Sequence, residues 1–419
     1  MRVAIFTSGT TGDVRPFLAL GRGLQAAGHD VVVGAPNIYG EWVSEVGLPF
    51  RQIGPQWQEE HIRQTMSVLA RGSRRPAKQM QTLVEREILP CVDQCVADCI
   101  EIAGNALAAP ADIIVSHSTL TAGRIATEKL DKPWVSVTLT PSAIPTSIRP
   151  PRGLPSLGRR GNRRLWKVTE RLCRWRLDGL LNKARIDHGL APLRNFVTEG
   201  MYSPTLNLVA ASRYLPFGQE EWPDNHQITG YWFLDETEEW QPPKDLTDFL
   251  KAGPAPVYVG FGSMMVGGPE RIGQSVIAAL EKARVRGIVA TGWGGLSDLN
   301  IPDTVFALKS APHDWLFPQM SAVVHHGGAG TTAAGFRAGK PAVICPFLAD
   351  QPYWARVARS QGASAKPLPL LKVSAKSLVD RIRIACSNAE MQRSAKEIGN
   401  KICTEDGVGN AVRLIEQMV

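Results

Sequence analysis

The sequence contains no run of about 18 apolar residues, so a membrane-spanning helix is not expected. Cysteine is scarce, seven in 419 residues. The number is odd and the spacing follows no disulfide module, which points to reduced thiols rather than a stapled secreted fold. Short-period repeats and low-complexity tracts are also missing. The opening stretch, MRVAIFTSGTTGDVRP, lacks the long apolar core of a secretory signal and reads as a buried strand, so a cytoplasmic location is expected, at most peripheral at the inner membrane face. What remains is a chain 44% hydrophobic and 21% charged, long enough for two hydrophobic cores.

Cys91, Cys95 and Cys99 fall at i, i+4 and i+8 in LPCVDQCVADCIEIAG, which places three sulfurs on one helical stripe. No histidine stands near them in sequence, so the stripe reads as apolar packing and no metal site is assigned. The net charge of +8 is unevenly placed: residues 149–185 hold twelve Lys or Arg against Glu170 and Asp178, so this segment carries +10 and the remainder −2. Trp166, Leu172, Trp175 and Leu180 interleave with the cations at helical spacing. Two readings stay open, a helix resting on an anionic membrane surface and a solvated basic face with a few anchors into the core. No nucleic-acid partner is expected, because no recognition module accompanies the patch.

Along the chain, RVAIFTS, HDVVVGAP, IIVSH and WVSVTL read as strands, and VRPFLALGRGLQAAG as a helix between the first two. The rhythm restarts at PVYVGFGS, continues through GIVATGW, VFALKS, AVVHHGG and PAVICPF, and ends in helices from Ser374 onward. Between the halves DETEEWQPPKD is acidic, contains proline and lacks periodicity. The expectation is an α/β chain of two doubly wound parallel-sheet domains, residues 1–234 and 246–419, with a linker at 235–245. The last helix is a candidate to pack back on the first domain. In that arrangement the carboxyl ends of the two sheets face each other across a cleft, where ligands bind.

The unusual residues follow strands. In VVHHGGAGTT an apolar strand ends in two histidines and a helix begins near Thr331, so backbone N–H groups and the helix dipole suit a diphosphate. Gly328 and Gly330 permit close approach of a ligand, and His326 adds a donor. His325 faces the other way and reads as structural. A plain tight turn with packed histidines fits the same residues. So does a dinucleotide fingerprint, since Gly328, Gly330 and Ala333 satisfy G-x-G-x-x-A with Asp350 downstream, which keeps an NAD-dependent oxidoreductase as the alternative of another class. Asp350 and Gln351, a carboxylate beside an amide, suit adjacent sugar hydroxyls, and Ser263 in FGSM suits a phosphate or hydroxyl. Asp13, after Gly-Thr-Thr-Gly at a helix start, is either a helix cap or a general base for an acceptor hydroxyl.

Over nearly all its length the chain resembles the family 1 nucleotide-sugar glycosyltransferases of GT-B fold. GTTGDVRPFLALGRGLQAAGH matches their acceptor-side opening, and PHDWLFPQMSAVVHHGGAGTTAAGFRAGKPAVICPFLADQPYWA their donor signature. Within the family the likeness is to sterol glucosyltransferases, rhamnolipid-type rhamnosyltransferases and antibiotic-pathway enzymes. The resemblance implies that His326 binds the diphosphate with Gly328, Gly330 and Thr331, and that Asp350 and Gln351 hold the sugar. It implies further that Ser310, Ala311 and Pro312 contact the nucleobase, with Trp293 lining that pocket, and that Ser263 joins the donor contacts. Thr10 and Gly12 are counted with the donor-binding set.

Asp13 is implied as the base where plant members carry a histidine paired with a downstream aspartate. Here IIVSHSTLTAG offers no acid, so Asp13 acts directly or with His117, which also fits simple packing. The implied reaction is inverting hexosyl transfer from a nucleotide sugar, UDP-glucose first and a dTDP-deoxyhexose second. The implied acceptor is oily, a sterol, polyketide or lipid, which Trp57, Met66, Met80, Trp166 and Trp175 suit. No Asp-x-Asp occurs; no metal or cofactor is expected, and the helix amino terminus with His326 takes the leaving charge.

Overall fold

The computed structural model describes residues 1–58, 89–151, 153–236, 240–262, 268–292 and 301–419. Met66, Met80, Ser263 and Trp293 therefore lie outside the described residues. The described residues up to Leu234, together with Glu405–Val419, form one compact unit, and those from Asp235 to Thr404 a second.

In the first unit β1 (Arg2–Phe6), β2 (Asp30–Ala35), β3 (Phe50–Gln52), β4 (Ile113–His117), β5 (Trp134–Thr138), β6 (Leu206–Val209) and β7 (His226–Ile228) make a parallel sheet. Its order is β3-β2-β1-β4-β5-β6-β7. The helices used below are α1 (Thr11–Ala26), α2 (Leu89–Asn105), α3 (Thr121–Leu130), α4 (Gly158–Cys173) and α5 (Gly179–Asp187). Side chains alternate across a strand. Val3 and Ile5 accordingly pack with Val14, Phe17 and Leu18 of α1, while Ala4 and Phe6 pack with Val96, Cys99 and Ile102 of α2 and Ile125 of α3. Burial on both faces is why β1 reads as a continuous apolar run. Cys99 is core and Cys95 packs against it, so these two sulfurs serve as apolar filling.

The carboxyl-terminal helix Gly407–Glu416 joins the α1 layer through Val412 and Ile415. Its approach is close: a Cβ on Gly23 of α1 would collide with Val408, and one on Gly407 with the Tyr231 carbonyl.

The second unit has β8 (Val257–Gly260), β9 (Gly287–Ala290), β10 (Val305–Leu308), β11 (Ala322–His325) and β12 (Ala342–Ile344), parallel and in the order β10-β9-β8-β11-β12. Its helices include α6 (Lys244–Lys251), α7 (Pro269–Ala283), α8 (Ala329–Arg337), α9 (Gln351–Ser360), α10 (Ala375–Ser387) and α11 (Ala389–Ile402). Val257 and Val259 pack toward Val276, Leu280, Leu378 and Ile382, and Tyr258 toward Leu246, Leu316 and Phe317.

Two details differ from the sequence reading. The acidic stretch after Leu234 is fastened to the second unit: Arg337 donates to both Asp235 oxygens at 2.5 and 2.7 Å, Trp240 meets Trp315 at 4.9 Å, and α6 starts at Lys244. Trp166 does not share a face with Trp175. It is buried, its indole N–H donating to the Arg149 carbonyl at 2.8 Å, whereas Trp175 is exposed; the Leu180 side chain lies outside the described set. No helix among the described residues is long and apolar enough to cross a membrane.

Candidate active site

In each sheet the strand order reverses once, between β1 and β4 and between β8 and β11. A parallel sheet parts its crossover helices at such a reversal, and the space beyond the strand carboxyl ends there is the natural ligand site. Asp13 follows β1 and His117 ends β4 at the first reversal, and His326 follows β11 at the second.

In the first unit, β1 and β4 run side by side with Phe6 opposite Ser116, so the turn after β1 and the last residue of β4 meet. Gly9 has φ +128°, and a Cβ there would collide with Asp13 Oδ2, so the turn requires glycine. Tyr39 donates its hydroxyl to the Gly9 carbonyl at 2.9 Å, a support that sequence reading missed because nothing local marks it. The N–H and the hydroxyl of Thr10 both donate to Asp13 Oδ2, at 2.7 and 2.9 Å. One carboxylate oxygen thus serves as the helix cap, and both readings of Asp13 find a part in the same side chain. The other oxygen, Oδ1, lies 4.0 Å from His117 Nε2. Gly12 is exposed on the first turn of α1.

His117 ends β4 almost fully buried, its ring 5.9 Å from that of Phe17. The Thr119 N–H, which can only donate, points at His117 Nδ1 at 3.3 Å, and the Thr119 hydroxyl lies 2.7 Å from the same nitrogen. Nδ1 is therefore an acceptor, and in the neutral ring the proton stands on Nε2, aimed toward Asp13. Burial lowers the His117 pKa against the opposing pull of the Asp13 charge, which favours that neutral form.

In the second unit, β11 lies between β8 and β12 with His325 opposite Gly260 and Ile344. His325 is buried, and its Nδ1 accepts the Gly327 N–H at 3.1 Å. Burial first, and then the neighbouring histidines His326 and His313, push its pKa down to about 3. The ring is a structural pin of the turn.

His326 differs. Its Nδ1 is enclosed without a partner, and Nε2 lies over Gly328, where a Cβ would approach it to 2.6 Å. Neither nitrogen is committed to a hydrogen bond among the described residues. Burial pushes its pKa down to about 4, with the Asp350 charge pulling the other way, so the ring is neutral near pH 7 and has one N–H to offer. Gly327, at φ +92°, would drive a Cβ to 2.6 Å from Ile344. Gly328 caps α8 without a side-chain bond, and open space surrounds the Cβ position of Gly330. The first-turn N–H groups, including that of Thr331, are thus left for a ligand. Gly262 closes the other side of the His326 ring, its Cβ position 3.3 Å from Cε1.

Beyond β12, Ala349 holds a left-handed φ of 53° immediately before Asp350, local strain of the kind that persists at functional turns. Asp350 Oδ2 accepts the Trp354 indole N–H at 2.9 Å. Gln351 is buried, and its Oε1 accepts the N–H groups of Phe347 and Leu348 at 2.8 and 3.1 Å, so the side chain first shapes the loop and keeps its amide Nε2 for a ligand. The structure thus brings His326, Gly328, Gly262 and Gln351 together. Ser310 and Ala311 follow β10 at the same carboxyl side of the sheet, two strands from β8.

His325 makes the turn sensitive to acid. Its folded pKa lies below the ordinary histidine value of about 6.5. Below that value the unfolded chain takes a proton that the native ring refuses, so stability falls as pH falls. Between pH 7 and pH 5 the loss is about 2 kcal/mol. In urea titrations His325→Asn, whose side-chain oxygen can still accept the Gly327 N–H, should remove about that much of the pH dependence. An unchanged slope would refute the assignment.

The glycosyltransferase family 28 N-terminal domain matches residues 3–135, and the erythromycin biosynthesis protein CIII-like C-terminal domain matches residues 276–414. An O-mycaminosyltylonolide 6-deoxyallosyltransferase of Streptomyces fradiae is 35% identical over 100% of this chain and 97% of its own length. A sterol 3-beta-glucosyltransferase of Arabidopsis thaliana is 32% identical over 99% of the chain, which spans 65% of that relative. Among solved structures, the glycosyltransferase SsfS6 of Streptomyces sp. SF2575, complexed with thymidine diphosphate, covers the whole chain and 99% of its own, with a TM-score of 0.65 at 20% identity. The two parallel-sheet units share the fold of that structure. The chain belongs to the glycosyltransferases of GT-B fold, with antibiotic-pathway glycosyltransferases and sterol glucosyltransferases among its relatives.

Proposed function

We propose that this glycosyltransferase moves a hexose from a nucleoside diphosphate sugar to a hydroxyl of a hydrophobic small molecule, a polyketide or a sterol, with inversion at the anomeric carbon. The observation that carries the reading is the division of labour at Asp13: Oδ2 is tied to Thr10, and Oδ1 faces the Nε2 of a buried His117 across 4.0 Å. An acceptor hydroxyl within about 2.6–3.2 Å of both atoms gives its proton to the carboxylate while its oxygen accepts the Nε2–H. That oxygen attacks the anomeric carbon, and the diphosphate leaves with the pair of electrons from its bond to the sugar.

On the donor side the first turn of α8, the Thr331 hydroxyl and His326 receive the diphosphate charge. Asp350 and the amide of Gln351 hold the sugar, Ser310 and Ala311 border the nucleobase, and Ser263 and Trp293 complete the donor set. Thr10 and Gly12 shape the turn that presents Asp13. No metal or cofactor enters the scheme.

UDP-glucose is the first donor expected. A dTDP-6-deoxyhexose is the second reading, favoured by the Streptomyces fradiae relative, a 6-deoxyallosyltransferase that this chain matches from end to end. The test is a panel of both donors against polyketide and sterol alcohols, read by mass for a hexose or deoxyhexose increment, with and without EDTA. Transfer that persists in EDTA is expected. Complete loss restored by magnesium would overturn the metal-free scheme, and failure of every donor beside tight NADH binding would overturn the reaction.

A further inference from the structure

Helix α4 has three faces. At about 3.6 residues per turn, Asn162 and Trp166 fall on one side. Both are buried, and their side chains donate to the carbonyls of Ser147 and Arg149 at 2.9 and 2.8 Å, which fixes how the helix lies on its unit. Arg160, Arg163, Arg164, Lys167 and Arg171 occupy the next arc, about 100° wide, and Arg174 follows directly on the end of the helix. All six are exposed, and none forms an ion pair among the described residues. On the adjoining arc stand Val168 and Leu172, exposed by 56 and 53%, and the helix is flanked by Leu157, just before it, and Trp175, in the π-helical turn Arg174–Asp178, exposed by 61 and 75%.

Single exposed apolar residues are ordinary on a protein surface. Four beside six cations are not, and the two halves of the pattern select the partner together. A nucleic acid would use the cations and leave Leu172 and Trp175 nothing to bury against. A second copy would cover the apolar stripe only by bringing two cationic arcs close together. The boundary between anionic headgroups and acyl chains satisfies both, with the tryptophan at the depth such rings prefer.

We propose that α4 is a surface-seeking helix that docks this glycosyltransferase on membranes carrying anionic lipid headgroups. The inference goes beyond the transfer reaction and does not depend on it.

The test is sedimentation of the full chain with phosphatidylcholine vesicles with and without phosphatidylserine. Binding should require phosphatidylserine and weaken as salt rises. The variant R160Q/R164Q/R171Q should lose about 100-fold in affinity, at roughly fivefold per cation. V168S/L172S should lose binding while keeping its melting temperature, because both side chains already face water. Equal binding to both vesicles, indifference to both variant sets, or duplex nucleic acid binding without vesicle binding would each overturn the proposal.

Discussion

Asp13→Asn should lower kcat by about 10²- to 10⁴-fold while leaving nucleotide affinity and fold nearly unchanged, because a positioned general base contributes about that much. The substitution is nearly isosteric. The asparagine oxygen can still accept from the Thr10 N–H and hydroxyl that now reach Oδ2, so the cap survives and the stability change should stay within about 1 kcal/mol. What is lost is the ability to take a proton from a hydroxyl placed between Oδ1 and His117. Gly9→Ala attacks the same atom from outside: its methyl would collide with Asp13 Oδ2 on a backbone already at φ +128°. It should lower kcat in the same direction, with some loss of stability as well. Calorimetric titration with UDP and dTDP separates chemistry from binding. An Asn variant within tenfold of the parent kcat and at parental nucleotide affinity would remove Asp13 from the base role.

Much of this architecture was legible because a buried parallel strand announces itself. The runs VAIF of β1 and AVV of β11 are apolar, and each strand is followed by glycines that release the chain into a helix, so the sequence alone places Asp13 and His326. Three strands of the first sheet were not legible. β3 (FRQ), β6 (LNLV) and β7 (HQI) carry polar residues within the strand, so they lack the apolar run that announces β12, which is just as short.

Pairings were harder still. Asp13 and His117 meet because β1 and β4 are neighbours in the sheet, a fact of strand order that no local motif encodes. The support from Tyr39 to Gly9 is invisible for the same reason. Trp166 and Trp175 teach the opposite lesson. They stand nine positions apart, which on a helix of about 3.6 residues per turn means opposite faces, a separation that reading them as one interleaved set passed over. Gln351 shows the limit of reading by residue type: an amide beside a carboxylate suits a sugar, yet its oxygen is committed to two loop N–H groups that only the fold brings near.

His326→Ala should show the opposite economy from a core substitution: donor recognition falls while stability holds. The ring's Nδ1 is enclosed without a partner, and an unsatisfied buried polar atom contributes nothing to folding and costs desolvation. Removing it should leave the melting temperature level or slightly raised. A hydrogen bond to a charged diphosphate, by contrast, contributes about 1.5–3 kcal/mol, so nucleoside diphosphate affinity should drop by about 10- to 150-fold. If the same N–H strengthens its bond as charge moves onto the leaving oxygen, kcat/KM should fall further, by about 10²- to 10³-fold. Because burial holds the pKa near 4, the parent ring stays a neutral donor across the physiological range. The ratio of parent to variant affinity should then be flat between about pH 6 and pH 8. His325→Ala provides the contrast, since loss of the pin on the Gly327 N–H should lower stability first and binding only through it. Parental nucleotide affinity in His326→Ala, or a steep dependence of the ratio on pH, would show that the diphosphate is held elsewhere.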